Sequence, residues 1–403
     1  MFGPIKRRNN ICEGIMEFDF TPAEKNILKD VRSFLESETT PALLDETHRL
    51  GHIYGGLEAR QFIKKFAANG WLTPNWPEAR GGLDASAVLN AAIRSEMARA
   101  GVPVVFVAAH MAGPTIMHFA NDEMKERWLL PIARGEVEFA LGYTEPQAGS
   151  DLSSLDIRAV DKGDHFLLNG QKSFNTSAHV ADFHWLATIT DPEAKRYQGM
   201  SMMIVDLKSP GIDIRPMKTM AGWQTNEVFY TNVRVPKENL VGDLNCGFLY
   251  LMTALDFERM YPLAAFERVF NSMVAYAKET HVNGHALSKD PLVRQKLAQL
   301  KIELEADRLL YFRLAHMIDN GQTPNYQASM QKVFATETAQ KITRTGMEIL
   351  GPYGQLKNGS KWAVLSGMME WYYRTSVVET IYAGTSEIQR NIIALRGLKL
   401  PSK

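Results

Sequence analysis

At 403 residues the chain is long enough for roughly two or three domains, each able to bury a core of its own. Lys plus Arg and Asp plus Glu both number 45, so the formal charge is zero and neither a nucleic-acid footprint nor an acidic tail is indicated. No run of eighteen apolar residues argues for a transmembrane segment, and two cysteines, Cys12 and Cys246, are too few for a disulfide framework and suit a reducing compartment.

The opening MFGPIKRRNNICEGI is basic but lacks the apolar centre of a secretory signal, and Met16 offers a second start that leaves residues 1–15 as an extension. Residues 16–139 read as an all-α domain. FTPAEKNILKDVRSFLESE places Thr21 as an N-cap, Pro22 at the first helical position and apolar residues at helical spacing. GWLTPNWPEARGGLDAS interrupts with Gly and Pro, and SAVLNAAIRSEMARAG resumes as a close-packed helix of small residues. Between residues 140 and 246 the period shortens: HFLLNG, FHWLATIT, MSMMIVDL, GIDIRPM and EVFYTNVRVP predict a small antiparallel β-barrel domain. From 247 to 403 long helical stretches return and predict a C-terminal four-helix bundle, so the expected fold class is α+β, mainly α.

Several signatures are absent: G-x-G-x-x-G, a Walker loop, H-E-x-x-H, C-x-x-C and G-x-S-x-G. Nicotinamide, nucleoside-triphosphate, zinc and serine-hydrolase readings lose support accordingly. The ten histidines show no metal spacing, and His110, His179 and His184 read as core or pocket-lining residues. The runs MSMMI and EWYY read as packing.

LGYTEPQAGSDLSS, residues 141–154, forms a polar, Gly-containing turn where the helical pattern gives way to strands. Its hydroxyls and backbone N–H groups suit a flat ligand rich in acceptors, although any such loop alone is more often a plain connector. Y-T-E-P-x-A-G-S-D at this junction resembles the first signature of the acyl-CoA dehydrogenase family. GQKSFNT, EILGPYGQL and IYAGTSEIQRNII resemble its later segments in the same order, so the likeness runs from about Met16 onward. It implies FAD as cofactor, with Leu141, Tyr143 and Thr144 against the ring, Gly149 in the same turn, and Ser150 near both the flavin and the acyl-CoA. It also implies that Phe174 and Thr176 close over the isoalloxazine, that Glu348 and Gly351 belong to the inter-subunit flavin segment, and that Thr385, Ser386 and Glu387 hold the dinucleotide portion. Relatives commonly carry Trp where Phe174 stands. They also carry an Arg and a Phe where this chain has Thr280 and Asn283, residues that reach a neighbouring subunit's flavin.

In the family the catalytic base is commonly a Glu immediately before the Gly of the GTS motif; here that residue is Ala383, whose methyl group cannot take a proton. Glu258 is the replacement candidate. Leu244, Phe248, Leu251, Leu255, Glu258 and Pro262 are spaced by threes and fours, placing Glu258 on an apolar stripe where desolvation raises a carboxyl pKa. Read from the helix face alone, Glu258 is more readily an ion-paired residue than a base. L-D-x-E-R resembles the site of the isovaleryl and long-chain branches, whose base lies on this helix. That resemblance gives Glu258 the role of base and Arg259 a role in local charge and geometry, with Asp256 a weaker base. Ser150, Asp256, Arg259, Ala383 and Gly384 are then the expected substrate contacts, and Pro262 is expected to kink the helix beside the base. The implied reaction is α,β-dehydrogenation of an acyl-CoA to a 2-enoyl-CoA, passing electrons to an electron-transfer flavoprotein, in a homotetramer of the cytoplasm or mitochondrial matrix. A small Ala383 suits branched, cyclic, bulky or long acyl groups. Two alternatives stay open: a desulfinase-like lyase or flavin monooxygenase on the same scaffold, and a non-catalytic subunit of a heteromeric dehydrogenase.

Overall fold

The computed structural model describes residues 19–50, 56–258 and 262–401. The first helix, α1 (Pro22–Glu38), opens on a reciprocal cap: the Glu24 N–H donates to the Thr21 hydroxyl at 3.3 Å and the Thr21 N–H to the Glu24 carboxylate at 2.9 Å. Five more helices follow in the N-terminal region: α2 (Pro41–Arg49), α3 (Leu57–Ala67), α4 (Ala87–Ala100), α5 (Gly113–Phe119) and α6 (Asp122–Ala133). Ser86 caps α4 and Gly101 ends it in the left-handed conformation; its small residues Ala91, Ala92 and Ala98 are buried as the sequence predicts. A π-helical turn, Ala108–Ala112, leads into α5.

Strands β1 (Phe139–Gly142), β2 (Arg158–Asp161), β3 (His165–Lys172), β4 (Phe183–Ile189), β5 (Met200–Asp206), β6 (Ile212–Lys218), β7 (Gln224–Pro236) and β8 (Leu240–Val241) form one sheet. Its order is β6-β7-β3-β2-β4-β5-β8, with β1 pairing with β4. Most pairs are antiparallel, while β1 and β2 run parallel to β4. The run MSMMIV is apolar on both sides because its residues serve two cores. Met200, Met202 and Ile204 face the helical domain, and Met203 and Val205 face the core within the sheet domain.

The remaining helices are α7 (Gly247–Glu258), α8 (Ala264–Glu279), α9 (Pro291–Asp319), α10 (Tyr326–Leu350), α11 (Met368–Glu379) and α12 (Ser386–Ile392). Helices α8 to α11 share a core built from Phe266, Val269, Leu300, Leu304, Ala335, Ala339, Ile342 and Tyr372. Within the stretch from Phe248 to Glu279 the chain is described as helical to Glu258 in α7 and again from Ala264 in α8, and Pro262 and Leu263 just before α8 are not helical. Leu244 falls before α7 and is 45% exposed, so the apolar stripe begins at Phe248. Between α8 and α9 a hairpin, β9 (His281–Val282) with β10 (His285–Ala286), turns on Asn283 and Gly284, both at positive φ, the geometry of a two-residue primed turn. No helix among the described residues is long and apolar enough to cross a membrane.

Candidate active site

The segment after β1 is held from beneath by a buried ion pair. Lys172, at the end of β3, donates from Nζ to the Glu145 carboxylate at 2.8 Å and to the Tyr143 carbonyl at 2.9 Å, and its side chain has no solvent exposure. Glu145 also accepts from the backbone N–H groups of Asp156 at 2.7 Å and Ile157 at 3.2 Å, so one carboxylate ties both ends of the turn. The Asn175 amide donates to the Leu141 carbonyl and the Ser173 N–H to the Thr144 carbonyl, each at 2.9 Å. Burial pushes the Lys172 ammonium down to about 8, the Glu145 charge opposing that shift. His184 lies behind this floor, its Nδ1 paired with the Tyr230 hydroxyl and its pKa pushed down to about 3, mainly by burial; it is a neutral core residue.

What this floor presents is a ledge of polar and aromatic groups. Phe174 holds φ at +57° and is 66% exposed as a residue, an arrangement that costs both backbone strain and apolar hydration. Beside it the Thr176 hydroxyl shares a hydrogen bond with Thr225 at 3.1 Å, and buried Asn175 Oδ1 and Ser177 Oγ have no protein partner. Gly149 has open space where a Cβ would stand, and Ser150 is exposed. Tyr143 is the exception among the expected ring contacts: its side chain is buried and its hydroxyl accepts from Trp185 Nε1 at 3.1 Å. An exposed aromatic residue, flanking hydroxyls and unmet buried acceptors fit a flat heteroaromatic ligand such as a flavin.

The second braced loop joins α11 to α12. Ala383 and Gly384 both have positive φ, +52° and +83°. The Ala383 carbonyl accepts from Gln389 Nε2 at 2.9 Å, and the Gly384 carbonyl from Lys332 Nζ at 3.0 Å. Lys332 also donates to the Glu379 carbonyl at 2.9 Å, and both it and Gln389 are about 1% exposed. The Thr385 hydroxyl caps α12 by accepting from the Ile388 N–H at 3.2 Å, Ser386 is buried, and Glu387 is exposed, its carboxyl lowered by its own N–H and the Thr385 hydroxyl.

Leu141, Thr144, Gly149, Ser150, Phe174 and Thr176 thus come together on the sheet domain, while Ala383 to Glu387 form a second group on the bundle. Arg374 of α11, held by Glu370 at 2.7 and 2.8 Å, reaches across to the carbonyl of Met220 in the β6–β7 turn. Glu348 binds Lys296 at 2.5 Å near the end of α10, about 24 Å along the helix axis from Lys332, and Gly351 follows with open space beside it. Thr280 caps the end of α8 and Asn283 occupies the hairpin turn. Glu258 is the last described residue of α7, whose body packs against β5 and the π-helical turn. The side chains of Asp256 and Glu258, and Arg259 altogether, lie outside the described residues.

Sequence reasoning missed Glu145, Lys172, Lys332 and Gln389. Two of them could have been found: Lys172 has the strand parity of buried Phe166 and Leu168, and Lys332 lies on the stripe of Ala328, Ala335 and Ala339.

Comparison with known proteins follows the same division. The chain matches the sequence models of the acyl-CoA dehydrogenase N-terminal domain over residues 21–136, middle domain over 140–233 and C-terminal domain over 245–398. It is 34% identical over 399 residues to acyl-CoA dehydrogenase FadE26 of Mycobacterium tuberculosis, covering 96% of this chain and 99% of that one. A solved structure of the Tcur3481-Tcur3483 steroid ACAD is similar with TM-score 0.88 at 34% identity, and one of the ChsE4-ChsE5 complex from Mycobacterium tuberculosis with 0.88 at 33%; each covers 96% of this chain and 100% of its own. Helical domain, sheet and bundle in this order are the fold of a class of flavoprotein oxidoreductases. The chain belongs to the acyl-CoA dehydrogenase family.

Proposed function

We propose that this chain, with FAD bound, removes the α and β hydrogens of a bulky, cyclic, branched or long acyl-CoA, with Glu258 as base and an electron-transfer flavoprotein as acceptor. The observation that carries the reading is the Ala383 loop: its backbone is clamped by Lys332 and Gln389 while the side chain at its apex is a methyl group. A missing carboxylate there requires a base elsewhere and frees volume near the acyl chain. One of the similar structures is named for a steroid, which agrees with a large acyl group.

Leu141, Thr144, Phe174 and Thr176 would hold the flavin ring. Bound flavin supplies a two-electron acceptor. The Ala383 N–H donates to the thioester carbonyl, which stabilises negative charge on that oxygen and acidifies the α proton. Glu258 removes that proton, and a bound acyl chain, by excluding water, would favour its action as a base. Anaerobic bleaching of the flavin's visible absorbance with a panel of acyl-CoAs, on wild type and Glu258→Gln, tests this. Bleaching in the wild type with a loss of about 10²–10⁴-fold in the variant is the expected result; wild-type protein that keeps its flavin but bleaches with no acyl-CoA overturns it. Best turnover on short straight chains would remove the bulky-substrate part alone.

A second reading has a specific observation behind it. Two of the similar structures carry paired names, and Thr280 and Asn283 stand where relatives place groups that reach a neighbour's flavin. The chain would then be one subunit of a heteromeric dehydrogenase, and, purified alone, would lose flavin and turnover until its partner is added.

A further inference from the structure

We infer that Lys332 is a positioning residue for the thioester carbonyl, acting through the Ala383 loop; the inference rests on the dehydrogenase reading above. Burying a lysine costs several kcal/mol, and a Leu or Met at 332 would fill the same stripe between Ala328 and Ala335 without that cost. Its ammonium binds the two ends of one connection: the Glu379 carbonyl closes α11, and the Gly384 carbonyl precedes the cap of α12. Gln389, reaching from α12, takes the carbonyl between them. The Tyr382 ring lies 5.6 Å from the ammonium and its hydroxyl binds the Glu379 carboxylate, so the connection is tied at four successive points.

The geometry at residue 383 needs such ties. A non-glycine residue in the left-handed region is disfavoured by roughly 1–2 kcal/mol, and Ala383 has no side-chain polar group to offset it. With the Tyr382 N–H held by the Val378 carbonyl at 3.1 Å on one side and the carbonyls of 383 and 384 anchored on the other, the peptide that carries the 383 N–H is bracketed before any ligand arrives, and a pre-set donor is effective against a developing negative charge. The charge of Lys332 also has the right sign. In a buried site it favours the enolate-like oxygen over the neutral thioester, and so deepens the acidification of the α proton. Gly384 is part of the same fit: a Cβ there would stand 2.5 Å from Gln389 Nε2.

The test uses FAD-loaded protein and an acyl-CoA bearing sulfur in place of the β carbon, whose α proton is acidic and which cannot be dehydrogenated. Its anion beside oxidised flavin gives a long-wavelength charge-transfer band, and the pH midpoint of that band reports α-proton acidity without turnover. Lys332→Gln and Gln389→Leu should each raise the midpoint by about one pH unit or more, and slow bleaching by true substrate on the order of 10–100-fold, with flavin content unchanged. Lys332→Arg, keeping the charge, should fall between. If Lys332→Gln does not fold, Gln389→Leu decides. Midpoints equal to wild type in the folded variants overturn this inference alone. A wild type giving neither the band nor bleaching overturns the dehydrogenase reading, and this one with it.

Discussion

Lys172 and Glu145 show how much of the sheet-domain ledge depends on single side chains. Lys172→Met would strand a carboxylate that is 3% exposed and still accepts two backbone N–H groups. Removing one member of a buried pair costs about 3–5 kcal/mol, so the denaturant midpoint should fall and FAD should dissociate faster. Adding Glu145→Gln to the same protein should recover part of the loss, and no recovery would mean the two do not act as a pair. Phe174 offers a cleaner readout. Phe174→Trp restores the indole common in relatives and should keep the flavin, and its emission, taken as a difference from wild type, should be strongly quenched when FAD binds. Unquenched emission would place the ring away from the flavin. The aromatic type of residue 174 was legible in the sequence. Its exposure and backbone strain were not, because they arise from the anchoring of Ser173 and Asn175 to strands distant in the chain.

Among the elements, those specified by neighbours in sequence were the readable ones. Thr21 with Glu24, and Ser86 with Gly101, fix α1 and α4 locally. The non-helical Pro262 before α8 was visible in the sequence, and the hairpin at Asn283 and Gly284 was hidden behind its role as a departure from the family pattern. The tie from Lys332 to the Gly384 carbonyl joins residues 52 positions apart, which no local pattern encodes. The seam of α10 and α11 makes a testable case at this scale. A Cβ on Gly346 would stand 2.2 Å from the sulfur of buried Met369, so Gly346→Ala should cost about 1–3 kcal/mol by overpacking, read from urea denaturation. A neutral result would show that Met369 has room to turn away.

Two buried acids sit where the large parts of the molecule meet. Glu138 lies between α6 and β1 and accepts from the N–H groups of Ala108 and Phe139 at 2.8 and 2.9 Å, and Asp307 of α9 accepts from Gln331 of α10 at 3.0 Å. Burial pushes both carboxyl groups up to about 8. Because the folded values exceed the ordinary ones, the folded chain holds protons that the unfolded chain releases; their contribution is complete below about pH 4 and is lost as pH rises toward 8. Thermal stability should therefore decline between about pH 5 and 8, and Glu138→Gln and Asp307→Asn, which mimic the protonated forms, should each flatten that decline in melting curves. Three domains in order were legible from the change of hydrophobic period; these seam acids were not, since Glu138 and Asp307 look like surface residues until the packing of helix on helix encloses them.

The two buried lysines also make natural labels. Amine-acylating reagents modify a lysine only when solvent reaches its nitrogen, and Lys172 and Lys332 are shut off in the folded chain, one under each braced loop. The rate at which each is acylated in a time course, read by mass spectrometry, would report the opening of its own loop. Comparing the two rates with and without FAD would show which half of the site the cofactor locks.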